Sequence, residues 1–143
     1  MRWAVWIVVS LVAVVGVVAL IGYLLPVKHE TSRSAEFGRP PAEVFALVSD
    51  LPNYRSWWPE SEVKVEVVES VAPSRFVTKI VGETAFGGTW TMEIVPSGKG
   101  SRLTITERGE IYNPIFRTLA RFVFGYTGTI ESCLKAAQQR LGP

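Results

Sequence analysis

The chain has 143 residues but only one cysteine, one histidine and almost no excess of charge, and each shortage excludes something. Cys133 alone cannot close an intramolecular disulfide or build a cysteine-based zinc site. His29 alone argues against a Ser-His-Asp triad and against a multi-histidine metal centre. No metal and no cofactor is therefore expected. There are 15 Lys and Arg against 13 Asp and Glu, with no basic stripe, so nucleic acid is not an expected partner. No P-loop, dinucleotide fingerprint or nucleophile–base pair is present.

Charge is absent altogether from Trp3 to Leu25, where only Ser10, Gly16 and Gly22 interrupt the apolar run. As a helix this stretch would be about 35 Å long, enough to cross a hydrocarbon core of about 30 Å. Backbone polar groups in lipid must bond within the segment, so a lone span has to be helical. Trp3 and Trp6 at one end and Tyr23 at the other suit the two interfaces, and Pro26 marks the exit. Signal peptides have shorter apolar cores and a small-residue cleavage site. The run from Ile21 to Pro26 offers none, so a retained anchor over residues 1–27 is expected, with the lipid bilayer as a partner. Arg2 stands before the span and Lys28, Arg33 and Arg39 after it, which leaves the side of the membrane open.

Residues 28–143 are long enough for one domain. Removing Arg2 from the basic count leaves 14 against 13 acidic residues, a net of +1. Lys28 to Arg39 is polar with mild alternation, a candidate first strand. Pro41 can occupy the first turn of a short helix over Ala42 to Ser49, and Leu51 to Pro59 reads as a turn, one helical turn and a proline stop. Four alternating segments follow: Glu62 to Val68, Ser74 to Val81, Thr89 to Val95 and Arg102 to Ile111. Clean alternation predicts an antiparallel sheet with one covered and one wet face. Asn113-Pro114 then supplies an N-cap and a first-turn proline. Ile115, Leu119, Phe122, Tyr126, Ile130, Cys133, Ala137 and Leu141 continue at spacings of three and four, predicting a helix of about 28 residues that covers the sheet. Gly125 and Gly128 inside it mark close packing, a bend or room for a ligand.

This order of elements, with Arg39-Pro40-Pro41-Ala42-Glu43-Val44-Phe45 and Asp50-Leu51-Pro52-Asn53-Tyr54-Arg55-Ser56-Trp57-Trp58-Pro59, resembles the START-like superfamily, nearest its polyketide cyclase/dehydrase (SRPBCC) branch. Phe86-Gly87-Gly88-Thr89-Trp90 and the stretch from Thr106 to Arg117 look like a membrane-anchored subgroup without an assigned activity. The resemblance covers about residues 30 to 141. It implies an α+β helix-grip fold, an antiparallel sheet wrapped on a long C-terminal helix with an apolar cavity between them, and hydrophobic ligands such as lipids, sterols or polyketides. The sequence counts only five strands, one hairpin fewer than the resemblance implies. The site is then a closed cavity, an open groove, or a free sheet edge that pairs with a second subunit.

Phe76, Trp90, Met92 and Ile94 are expected on the covered face, as core or as cavity wall. Glu107 shares the face of Leu103 and Ile105, where a carboxylate needs a partner or water; Arg117 or Arg121 is the expected partner, and a ligand anchor the alternative. Tyr112, Phe116, Phe122 and Tyr126 are candidates for the cavity and its mouth. Trp57 and Trp58 beside Pro59, together with Trp3, Trp6 and Tyr23, are candidates for membrane contact. The favoured function is a membrane-anchored binding module for a hydrophobic small molecule or lipid. The alternatives are a cyclase-like enzyme using Glu107 and Tyr112 as acid/base groups, and a protein-interaction module using the sheet edge, including a homodimer.

Overall fold

The computed structural model describes residues 1–61 and 63–143; Glu62, the expected first residue of the second strand, lies outside the described residues. A helix α1 (Arg2–Leu24) leads into β1 (Lys28–Phe37). Then come α2 (Pro41–Val48), a 3-10 turn (Leu51–Asn53) and α3 (Tyr54–Trp57). The strands β2 (Val65–Val71), β3 (Arg75–Ile80), β4 (Phe86–Ser97) and β5 (Gly100–Ile111) follow. The chain ends with α4 (Pro114–Leu119), a π-helical segment (Ala120–Phe124) and α5 (Gly128–Leu141).

The five strands form one antiparallel sheet in the order β1-β5-β4-β3-β2, so β1 and β2 are its free edges. Its register follows the alternation of the sequence. On the inner face Trp90 lies opposite Glu107, Met92 opposite Ile105, Ile94 opposite Leu103 and Phe76 opposite Met92. On the outer face the cross-strand pairs of β1 and β5 are polar. Glu36 and Arg102 sit 2.5 Å apart, Ser34 and Thr104 2.7 Å, Ser32 and Thr106 3.2 Å, and Glu30 and Arg108 3.5 Å. Arg75 bridges Glu69 and its cross-strand partner Glu93 at 3.1 Å. Directly opposed opposite charges and hydroxyl pairs of this kind favour one register over its slips. The Arg102 guanidinium holds the Glu36 carboxyl below its usual range. β2 begins later than expected and carries a register shift between Val67 and Glu69, which breaks the alternation that the sequence showed.

The core lies between the inner face and the helices. Ile94, Leu103 and Ile105 meet Val44 and Val48 of α2, while Ile130, Cys133, Leu134 and Ala137 of α5 pack over β1. Burial pushes the Cys133 thiol up to about 12.

The single long C-terminal helix expected from the periodicity is instead broken. Spacings of three and four do persist through the sequence, but Gly125 takes a left-handed φ of 73° and its N–H closes the π turn on the Ala120 carbonyl. A side chain would strain this conformation, so glycine permits a corner where the periodicity shows none. Only α5, of 14 residues, grips the sheet. α4 instead packs along the end of α1, and the π segment follows directly from it. The Asn113 side chain caps α4 by accepting from the Ile115 and Phe116 N–H groups.

Candidate ligand cavity

Between the inner face, α3, the residues Ser61, Val63, Lys64 and Val65, and the π segment lies a cavity of about 1030 Å³. Its walls are mostly apolar: Trp90 and Met92 from β4, Tyr54 from α3 and Trp58 just after it, and Phe116, Ala120 and Phe124 from the helical corner. Thr78, Ile80 and Ala85 complete the floor. The space exists because α5 covers β1 and α2 covers the end of the sheet near Ile94 and Leu103, leaving the other end of the inner face bare.

A tryptophan stack forms one wall. Trp58 lies parallel to Trp90 with ring centroids 5.9 Å apart, and Trp57 stacks behind it at 6.2 Å. The Trp58 indole N–H donates to Ser132 Oγ at 3.0 Å, and Ser132 donates to Glu60 at 2.6 Å, tying the end of α3 to α5. Tyr54 donates its hydroxyl to the Val48 carbonyl, and burial pushes its ionisation upward.

One wall is polar. The His29 imidazole lies flat over Gly109, its partner in the β1–β5 register. A Cβ on Gly109 would meet the ring at 2.3 Å, so the absence of a side chain is what admits the histidine. The other face of the ring stacks on Tyr126 at 4.3 Å. His29 Nε2 lies 3.8 Å from the Glu107 carboxylate, and their side chains are 15% and 18% exposed. Glu110 also lines the cavity and accepts from the Tyr112 hydroxyl at 2.6 Å, a bond that holds the tyrosine ionisation above its ordinary range. An apolar chamber with hydrogen-bonding groups at one wall can hold a mostly hydrocarbon molecule and orient a polar end. Among the described residues no group of three or more His, Cys, Asp or Glu side chains converges as a metal-ligating set would.

Of the residues singled out from sequence, Trp90, Met92, Glu107, Phe116 and Tyr126 line this cavity. Phe76 and Ile94 share the inner face but are buried beneath α2 and α5 as core. Tyr112 and Phe122 stand outside, 44% and 65% exposed. Trp57 and Trp58, expected at the membrane surface, are instead buried at 8% and 6%, because the tryptophan stack and α5 enclose them. Trp3, Trp6 and Tyr23 are exposed on α1.

Glu107 is partnered by His29, not by Arg117 or Arg121. Arg117 is occupied elsewhere: its three guanidinium nitrogens donate to the carbonyls of Ile111 at 2.8 Å, Gly22 at 2.9 Å and Tyr112 at 2.8 Å. His29 was the residue that sequence reasoning missed. Its place in the cavity follows from its pairing with Gly109, a contact between positions 80 residues apart in the chain. The one local signal was a histidine on the inward phase of the first strand.

No protein-family profile and no curated protein matches this chain. Solved structures do. A START superfamily protein from Mycobacterium smegmatis superposes with a TM-score of 0.62 at 18% identity, over 79% of this chain and 97% of the other. A conserved protein from Geobacillus kaustophilus gives a TM-score of 0.66 at 14% identity, over 79% and 95%. The di-domain ARO/CYC StfQ from the steffimycin biosynthetic pathway gives 0.61 at 10% identity, over 80% of this chain and 51% of the other. The fold is the START-like helix-grip. At these identities the likeness extends to the fold alone. Within the helix-grip the bare end of the inner face is where the cavity lies, and the N-terminal helix stands outside the gripping layers. That helix is long and apolar enough to cross a membrane, with a mean hydropathy of 3.0, and the rest of the protein covers none of its most apolar window.

Proposed function

We propose that the protein is a membrane-anchored module that binds a hydrophobic small molecule or lipid in the helix-grip cavity. The observation that carries this reading is the cavity itself, an apolar chamber of about 1030 Å³ whose polar groups are gathered on one wall. The exposed apolar surface of α1 supports the anchor, since the domain leaves the most apolar window of that helix uncovered. So does the docking of α4 on the last turns of α1, which removal of α1 as a signal peptide would undo. In this reading Trp90, Met92, Phe116 and Tyr126 contact the apolar body of the ligand and Glu107 with His29 receives its polar end.

The test is a titration of the full chain in nanodiscs with a fluorescent aromatic fatty acid, read by energy transfer from tryptophan. Saturable binding in the wild type, abolished by Ala85→Trp, which fills the floor, is the expected result. Binding that never saturates, or that Ala85→Trp leaves unchanged, would overturn the reading.

One observation favours a second reading, a cyclase-like enzyme: His29 and Glu107 stand 3.8 Å apart inside the cavity, a spacing at which one could exchange a proton with a bound ligand. Tyr112 does not join them, since it stands outside the cavity lining with its hydroxyl donated to Glu110. Turnover of an aromatic polyketide-like probe that is lost in Glu107→Gln, with probe binding intact, would select the enzyme reading.

A further inference from the structure

The segment Pro114–Phe124 has an unusual surface for a helical corner. Phe116 is 50% exposed, Phe122 65%, Val123 67% and Phe124 71%, and among the described residues Arg121 has no hydrogen-bonded or ion-paired partner. Patches of this kind on a protein surface mark contact with another apolar phase.

Its position relative to α1 identifies that phase. Gly22 is so close that an added Cβ would fall 1.6 Å from the Pro114 carbonyl oxygen. The Thr118 hydroxyl donates to the Val18 carbonyl at 2.7 Å. As the chain advances from 114 to 118, its partners on α1 therefore retreat from 22 to 18: the two helices run antiparallel. Val18 is six residues before Leu24, about 9 Å back along the helix from the end of α1. Phe122, Val123 and Phe124 follow one turn beyond Thr118. The left-handed Gly125 then reverses the chain, and Tyr126 is back on the sheet against His29.

Resting on the reading that α1 spans the bilayer, we infer that Pro114–Phe124 is a second membrane-inserted element, a helical dip beside α1 that turns the mouth of the cavity toward the hydrocarbon of the same bilayer. The polar groups on the segment agree with this. Thr118 and Arg117 are satisfied by carbonyls of α1 and of the chain leaving β5, and the backbone is helical through to the Gly125 N–H. The Arg121 guanidinium lies 5.6 Å over the Phe122 ring, on a stem long enough to carry its charge back to the headgroup phosphates. Phe116 and Phe124 both line the cavity and are half or more exposed, so they stand at its rim. A rim sunk in the bilayer lets a hydrophobic ligand enter sideways from lipid without crossing water.

Site-directed spin labelling of the full chain in phospholipid vesicles tests this. Nitroxides go at Val12→Cys in mid-α1, at Val123→Cys on the outer flank of the dip, at Phe124→Cys on the rim, and at Lys99→Cys in the β4–β5 turn. The buried Cys133 stays unlabelled in the folded chain. Collision with lipid-soluble oxygen is compared with collision with a water-soluble nickel chelate. The expected result is oxygen dominance at 12, 123 and 124 and chelate dominance at 99. Oxygen dominance at 12 with chelate dominance at 123 would overturn the inserted dip while leaving the anchor intact. Chelate dominance at 124 alone would overturn the lateral mouth. Chelate dominance at 12 would overturn the anchor, and this inference with it.

Discussion

Adding one methyl group to Gly22 tests whether α1 and the domain are held as one body. A Cβ at this position would lie 1.6, 2.3 and 2.8 Å from the carbonyl oxygen, carbonyl carbon and Cα of Pro114. All three are backbone atoms of a proline at the first turn of a helix, so no side-chain rotation relieves the clash, and α4 must part from α1. Parting loses the Thr118 bond to Val18 and the Arg117 bond to Gly22. With a neutral hydrogen bond contributing about 1 kcal/mol and one to a charged donor about 1.5–3 kcal/mol, docking is weakened by roughly 2.5–4 kcal/mol. Hydrogen exchange of the Arg117–Leu119 amides in nanodiscs should then speed up roughly 70- to 1,000-fold in Gly22→Ala. Gly16→Ala is the control, because nothing lies within 4 Å of its added Cβ. Equal protection of α4 in both variants would refute the close approach, and loss of protection throughout the sheet would refute the claim that the effect is local.

Other perturbations follow from the same contacts. Asn113→Ala removes the acceptor for two N–H groups at the start of α4 and should cost about 1 kcal/mol in denaturant unfolding of the full chain. Gly109→Ala drives a methyl into the His29 ring and should cost about 1–3 kcal/mol while moving the imidazole off Tyr126, visible as a shifted histidine ring resonance in NMR. Cys133, with its thiol pushed up to about 12, should resist alkylation in the native chain and react only on unfolding. Because the folded thiol ionises later than the unfolded one, the stability it contributes is complete below about pH 9 and is lost as pH rises toward 12. A Cys133→Ala chain should show a shallower loss of stability across that window.

Much of the fold was legible in the sequence because strand alternation is a local signal. Phe76, Trp90, Met92, Ile94, Leu103, Ile105 and Glu107 share a face as their spacing required, and even the odd inward carboxylate was readable. The features that escaped depend on distant partners. His29 becomes part of the cavity only through Gly109 and Tyr126. Trp57 and Trp58 looked like surface anchors beside a proline, and only their stack with Trp90 shows them inside. At Gly125 the sequence offered a bend only beside close packing or room for a ligand, because apolar residues keep helical spacing on both sides of it. They serve different surfaces, however: those before the break face α1 and the cavity rim, and those after it face β1. The docking of α4 on α1 had no pattern to announce it beyond Gly22 itself.

The central claim is that the bare end of the helix-grip houses a hydrophobic ligand. Native mass spectrometry of the full chain released directly from cell membranes, wild type beside Ala85→Trp, tests it most directly. The account predicts a stoichiometric apolar adduct on the wild type that is missing from the filled variant. A wild-type chain that flies bare, or adducts that both chains carry alike, would contradict it.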